Sequence, residues 1–152
     1  MMLYRPVGVK ELELIAASGF RVFPPRLSWQ PIFYPVLNRE YAISIARDWN
    51  TKDTASGWPG FVTEFELEDG YASRFEVHQV GATMHRELWV PAEELAEFNR
   101  HIIGRIRIVA ASYGEGFTGQ VDPSSGLPAS MAELCVEAAV SDRTMKAEGV
   151  DE

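Results

Sequence analysis

His85, Arg86 and Glu87 run into Leu88-Trp89-Val90-Pro91. Alternation of apolar and polar residues over Thr83–Val90 predicts a strand, in which residues two apart share a face. His85, Glu87 and Trp89 then point together, with Met84, Arg86, Leu88 and Val90 on the other side. A carboxylate beside an imidazole can orient a ligand hydroxyl, act as a base, or stabilise positive charge developing at a sugar carbon. The same residues also suit a polar patch on the solvent face of a sheet.

Two other places carry side chains suited to binding. Arg5 lies between Tyr4 and Pro6 on a short first strand. A guanidinium there can clamp phosphate in bidentate fashion, or act as an edge charge that discourages strand addition. The stretch Phe23–Tyr34 is dense in proline and aromatic residues and holds Arg26. Trp29, Phe33 and Tyr34 could stack on a base or a nicotinamide, or pack the loop on itself.

Other chemistries lack their residues. His78, His85 and His101 have no metal-ligand spacing, Cys135 is the only thiol, and no metal is predicted. There is no GxSxG and no GxxxxGK[ST], and Gly114-Glu115-Gly116 precedes no strand-to-helix turn. Cys135 falls on an apolar helical stripe, where a thiol is structural. Glu93, Glu94 and Glu97 read as a solvated helix face.

The elements that must position these groups read as α+β. A strand over Leu3–Pro6 is followed by a helix over Lys10–Ser18 with Gly19 at its cap. Ile32–Leu37 is a strand that Pro35 pushes towards an edge or bulge. Asn38 caps a helix over Arg39–Asn50, with Ala42, Ile45, Ala46 and Trp49 as its buried stripe. Thr51–Pro59 is a loop. Gly60–Leu67, Tyr71–Val80 and Thr83–Val90 alternate and predict an antiparallel meander with turns at Glu68-Asp69-Gly70 and Gly81-Ala82. A helix over Ala92–Phe98, opened by Pro91, and a strand over Arg105–Ala111 complete the domain, 1–113. Residues 114–152 read as a linker, a short amphipathic helix over Pro128–Val140, and a polar tail; that helix is also a candidate homodimer contact.

The bulk properties set limits. A chain of 152 residues with 46% hydrophobic residues is one domain with a core of its own. A net charge of −8 argues against binding duplex nucleic acid, which needs clustered cations. No apolar run is long enough to span a bilayer, and Met1–Pro6 lacks the apolar stretch of a secretory signal. One cysteine and no disulfide fit a reducing, cytoplasmic setting.

Leu3-Tyr4-Arg5-Pro6-Val7-Gly8, Phe23-Pro24-Pro25-Arg26, Gln30-Pro31-Ile32-Phe33-Tyr34-Pro35-Val36-Leu37-Asn38 and His85-Arg86-Glu87-Leu88-Trp89-Val90-Pro91 together resemble a family of small bacterial proteins often labelled "ADP-ribosylation/crystallin". The resemblance covers about residues 2–112. The label evokes the ADP-ribosylglycohydrolases, which are larger, all-helical and metal-dependent. This chain is too short and too rich in strands for that, so neither hydrolase activity nor magnesium is carried over.

The layout is more similar to the ADP-ribosyltransferase-like fold, a split-sheet architecture of small antiparallel sheets with flanking helices and NAD in the cleft between them. The resemblance implies that Arg5 contacts the pyrophosphate and that Tyr34 or Trp29 stacks on the nicotinamide, with Arg26 among the cofactor-binding residues. It implies that Glu87 holds a ribose hydroxyl and stabilises an oxocarbenium-like transition state. His85, where many members keep Glu or Gln, would position the acceptor or the second ribose hydroxyl. No Ser-Thr-Ser run follows a strand, which is a departure from the pattern. The implied function is mono-ADP-ribosyl transfer to a protein acceptor, or NAD cleavage. The alternative is a non-catalytic nucleotide- or protein-binding module of the same fold.

Overall fold

The computed structural model describes residues 1–49, 59–81, 85–114, 119–122 and 127–129. Its fold is α+β, with small antiparallel sheets and a few helices. The central strand β3 (Pro59–Leu67) lies between β1 (Met2–Val7) and β7 (Ile102–Tyr113), antiparallel to both. Leu3 faces Phe65 and Arg5 faces Thr63 across the first pair.

Helix α1 (Val9–Ala17) buries Leu12 and Ile15 against one face of this sheet, next to Leu3, Val7 and Phe65. Gly19, at φ +78°, ends it in a conformation that a side chain disfavours. Helix α2 (Arg39–Asp48) covers the other face. The Asn38 side chain caps it by accepting from the Tyr41 N–H at 3.0 Å. Ala42 and Ala46 are small enough to let α2 close on Val62, Val109 and Ala110. The sheet thus separates two apolar layers, and residue alternation assigns each side chain to one of them.

The connection from α1 to α2 builds the rest. Ile32–Phe33 (β2) pairs with Val90–Pro91 (β6), and Val36 bridges both Tyr4 and Glu87 in the same register. Leu88 N–H still donates to the Pro35 carbonyl at 2.9 Å, but Pro35 has no N–H to return, and the ladder is interrupted there. Val36 exchanges hydrogen bonds of 2.7 and 2.9 Å with Tyr4, so the 35–37 segment is a strap joining β1 to β5 (Arg86–Leu88). β5 pairs in turn with β4 (Val77–Gln79).

Of the expected meander only the second hairpin forms, as the antiparallel pair β4–β5. β3 has β1 and β7 as neighbours, and Tyr71–Val80 is not one strand. Asp69–Ala72 (α3) winds into a helical turn, with Ala72 N–H bonded to the Glu68 carbonyl at 2.8 Å. Tyr71 and Phe75 stand four apart, and on that turn their rings meet at 5.3 Å. Tyr71 also stacks on His101 at 4.0 Å and donates to Glu94 at 2.6 Å, so Glu94 is not merely solvated.

Two further expectations need correction. The last strand reaches from Ile102 to Tyr113, longer than Arg105–Ala111. Trp49 is not on the buried stripe of α2 but 73% exposed at its end. After a 3-10 turn at Ala92–Glu94, α4 (Leu95–Arg100) seats Leu95 and Phe98 in the core. Leu127 is buried in the same core, held by the bonds Asp122 N–H to Leu127 O and Ala129 N–H to Gln120 O, both 2.7 Å. Trp58, Cys135 and nearly all of the Pro128–Val140 helix lie outside the described residues. Among the described residues no helix is long and apolar enough to cross a membrane.

Candidate functional site

A hollow of about 1160 Å³ opens on the α2 side of the sheet, where the strap leaves β1. Pro6 explains why a gap exists. Tyr4 directs both backbone groups to Val36, so two residues on the backbone nitrogen of Pro6 faces the same way. It has no hydrogen to offer, and the ladder between β1 and the strap stops. The hollow is lined by Pro6, Tyr34 and Val36, by Glu87 and Trp89, and by Ile45, Asp48 and Trp49 at the end of α2.

Glu87 is held from two sides. The Trp89 indole N–H donates to Oε1 at 2.8 Å, and the Tyr41 hydroxyl donates to Oε2 at 3.3 Å. Each donor ring is covered in turn by an imidazole. His78, opposite Glu87 on β4, stacks on Trp89 at 3.9 Å, and His85 stacks on Tyr41 at 4.3 Å. Tyr34 meets Trp89 edge-on at 6.1 Å. Burial, and then the negative charge of Glu87, push the Tyr41 pKa up, which keeps its hydroxyl a donor. Each carboxylate oxygen of Glu87 accepts one bond and retains a lone-pair site for a ligand.

The residues singled out from sequence are distributed as follows. Glu87, Tyr34 and Trp89 meet at the hollow, as the shared register of 32–36 with 87–91 requires. His85 does not line the hollow but stacks on Tyr41, which bonds Glu87. Arg5 borders the hollow, but its guanidinium turns through to the α1 side. There its Nε and Nη2 bind the two oxygens of Glu11 at 2.6 and 2.9 Å, and it lies 4.7 Å from the Phe33 ring centre. Arg26 reaches the same ring from the loop and donates to the Ile32 carbonyl at 3.1 Å. Trp29 projects from a turn and is 74% exposed, and it does not line the hollow. Phe33 is fully buried and unavailable for stacking on a ligand.

Tyr41, His78, Asp48 and Trp49 were not legible as site residues. Tyr41 and Asp48 look like ordinary exposed positions of a helix, and only the packing of α2 over the strap brings them to Glu87. The one available signal was the pairing of two strands that each end in an aromatic and a proline. Among the described residues no cluster of three His, Cys, Asp or Glu could hold a metal ion.

Comparison of the chain with protein-family models, with curated proteins and with solved structures gives no match.

Proposed function

We propose that the hollow binds the nicotinamide-ribose end of NAD, in a split-sheet arrangement like that of ADP-ribosyltransferases. The observation that carries this reading is Glu87, a carboxylate fixed by Trp89 and Tyr41 in an aromatic recess with acceptor sites still open. A recess walled by Tyr34, Trp49 and Trp89, with Asp48 and Glu87 as its acids, suits a flat ring that carries positive charge. The open oxygens of Glu87 suit the hydroxyls of an attached ribose.

The chemistry open to such a site is cleavage of the bond between ribose and nicotinamide. The bonding pair leaves with the nicotinamide nitrogen, and positive charge grows on the sugar carbon, where Glu87 stabilises it. A nucleophile from a protein acceptor, or water, then forms the new bond and gives up its proton. His85 stacks on Tyr41, which bonds Glu87, and from there its imidazole would position that acceptor.

One observation favours a second reading, a nucleotide-binding module without transfer. The Arg5 guanidinium is committed to Glu11 on the α1 side, so cation and carboxylate do not converge on one face. Calorimetric titration with NAD, run beside an assay for released nicotinamide, separates the two. Binding lost in Glu87→Ala together with nicotinamide release by the wild type supports transfer or cleavage. Binding without release supports the module. No heat of binding at millimolar NAD removes both.

A further inference from the structure

The lining of the hollow carries two indole–carboxylate pairs. Glu87 and Trp89 come from β5 and the residue after it, and Asp48 and Trp49 from the end of α2. Among the described lining residues the one cation is Arg5, and its bidentate bond to Glu11 on the α1 side neutralises it. Arg47 pairs with Asp48 at 3.2 Å from outside that lining. Both side chains are about half exposed, so water screens the pair. The hollow therefore sets net negative charge beside the exposed rings of Tyr34, Trp49 and Trp89.

The ring planes select the shape of cation that fits. Tyr34 and Trp89 stand at 88° to one another with centres 6.1 Å apart, a corner and not a slot. His78 already covers one face of Trp89, at 3.9 Å. A flat ring gains most between parallel faces, whereas a compact tetrahedral cation touches two perpendicular rings at once. Glu87 is bonded by Trp89 and Tyr41, and Asp48 by Arg47, so each supplies charge with part of its acceptor capacity already met. We infer that the hollow takes a quaternary ammonium group, carried by a small molecule or by a trimethylated lysine side chain, with Tyr34 and Trp89 as its corner and Glu87 and Asp48 as its counter-charges. Methyl groups replace the N–H donors of such a cation, so it gives up no hydrogen bond on leaving water, and the ring faces attract it. The inference goes beyond the nucleotide reading: neither ribose nor phosphate is needed, and either reading can fail without the other.

The Trp89 indole N–H signal, followed in nitrogen–proton spectra at constant ionic strength, tests this with choline and with dimethylbutanol, its uncharged carbon isostere. Choline is expected to move the signal saturably in the millimolar range and to bind at least about threefold more tightly than the alcohol. Glu87→Gln is expected to weaken choline severalfold and to leave the alcohol unaffected. Asp48→Asn, at the exposed end of α2, is expected to act in the same direction and carries the test if Glu87→Gln does not fold. A trimethyllysine peptide that binds at least about tenfold more tightly than choline, with the unmodified peptide silent, supports the site and puts the cation on a protein. Equal affinity for that peptide and choline supports the site and puts the cation on a small molecule. Equal affinities for choline and the alcohol, choline affinity unchanged in a folded charge variant, or a Trp89 signal that stays fixed up to tens of millimolar choline overturns it. Choline binding without NAD binding supports it and removes the nucleotide reading alone; NAD binding with no response to choline does the reverse.

Discussion

The two faces of the strand ladder use aromatic residues in opposite ways. On the α1 side Phe23, Phe33, Phe65 and Phe98 are fully buried and meet edge to face or tilted, with centres 4.9–6.0 Å apart. Such rings carry no polar atoms and gain from area removed from water and from mutual geometry. On the α2 side Tyr34, Tyr41, Trp89, His78 and His85 stay partly exposed; His85 stacks on Tyr41 and His78 on Trp89, and Tyr41 and Trp89 keep their polar atoms directed at Glu87. The first group is a seal and the second a lining. Phe33 and Tyr34 are neighbours in sequence, and the period of a strand sends one to each side.

The largest expected effect that this contrast predicts is on the sealed face. Phe98→Ala, at the junction of Phe33, Phe65, Tyr71 and Phe75, should cost about 3–5 kcal/mol, read from chemical denaturation. A loss near zero there would mean that the rings are not the core they form here. Next comes Glu11→Gln, which strands the Arg5 charge in a mostly dry setting. Removing one partner of a fully buried pair costs roughly 3–5 kcal/mol, and the residual exposure of Glu11 lowers the expectation to about 2–3 kcal/mol.

The lining should behave otherwise. Trp89→Ala is expected to change stability by only about 1 kcal/mol while weakening NAD at least about tenfold, by thermal unfolding and calorimetry on one preparation. A loss of stability as large as that of Phe98→Ala would erase the distinction between the two faces.

The smallest effect at neutral pH is an alkaline one. Burial, and then the bond to Glu94, raise the Tyr71 pKa above its ordinary value of 10.0. The folded chain thus holds a proton that the unfolded chain releases. The resulting stability is complete below pH 10.0 and is lost as pH climbs towards the folded value. Tyr71→Phe should therefore show a shallower decline above that pH, and the same slope in both proteins would contradict the assignment.

How much of this was legible follows from the range of the interactions. α1, α2, the Asn38 cap and the Gly19 terminus follow from local pattern and are present as expected. The convergence of Tyr34 and Glu87 was reached only as a consequence of resemblance, because their pairing joins strands far apart in the chain. Tyr71–Val80 misled because Tyr71, Ser73, Phe75 and Val77 fit period two while Tyr71 and Phe75 also fit a helical turn; the stack on His101 and the bond to Glu94 decide for the turn. Arg5 illustrates the limit on the site itself. Its type and strand were readable, but the face it takes is set by the register with Thr63 and Val36, and its partner Glu11 by the entry of α1.

The central claim is that a ligand enters the lining beside Glu87, and the indole N–H signals of the four tryptophans report on it directly. Two-dimensional nitrogen–proton spectra of labelled protein, recorded as NAD is added, should move the Trp89 indole signal, since its proton is bonded to Glu87, and leave that of the remote Trp29 in place. A Trp89 signal that stays fixed up to millimolar NAD, or a response at Trp29 alone, would contradict the account.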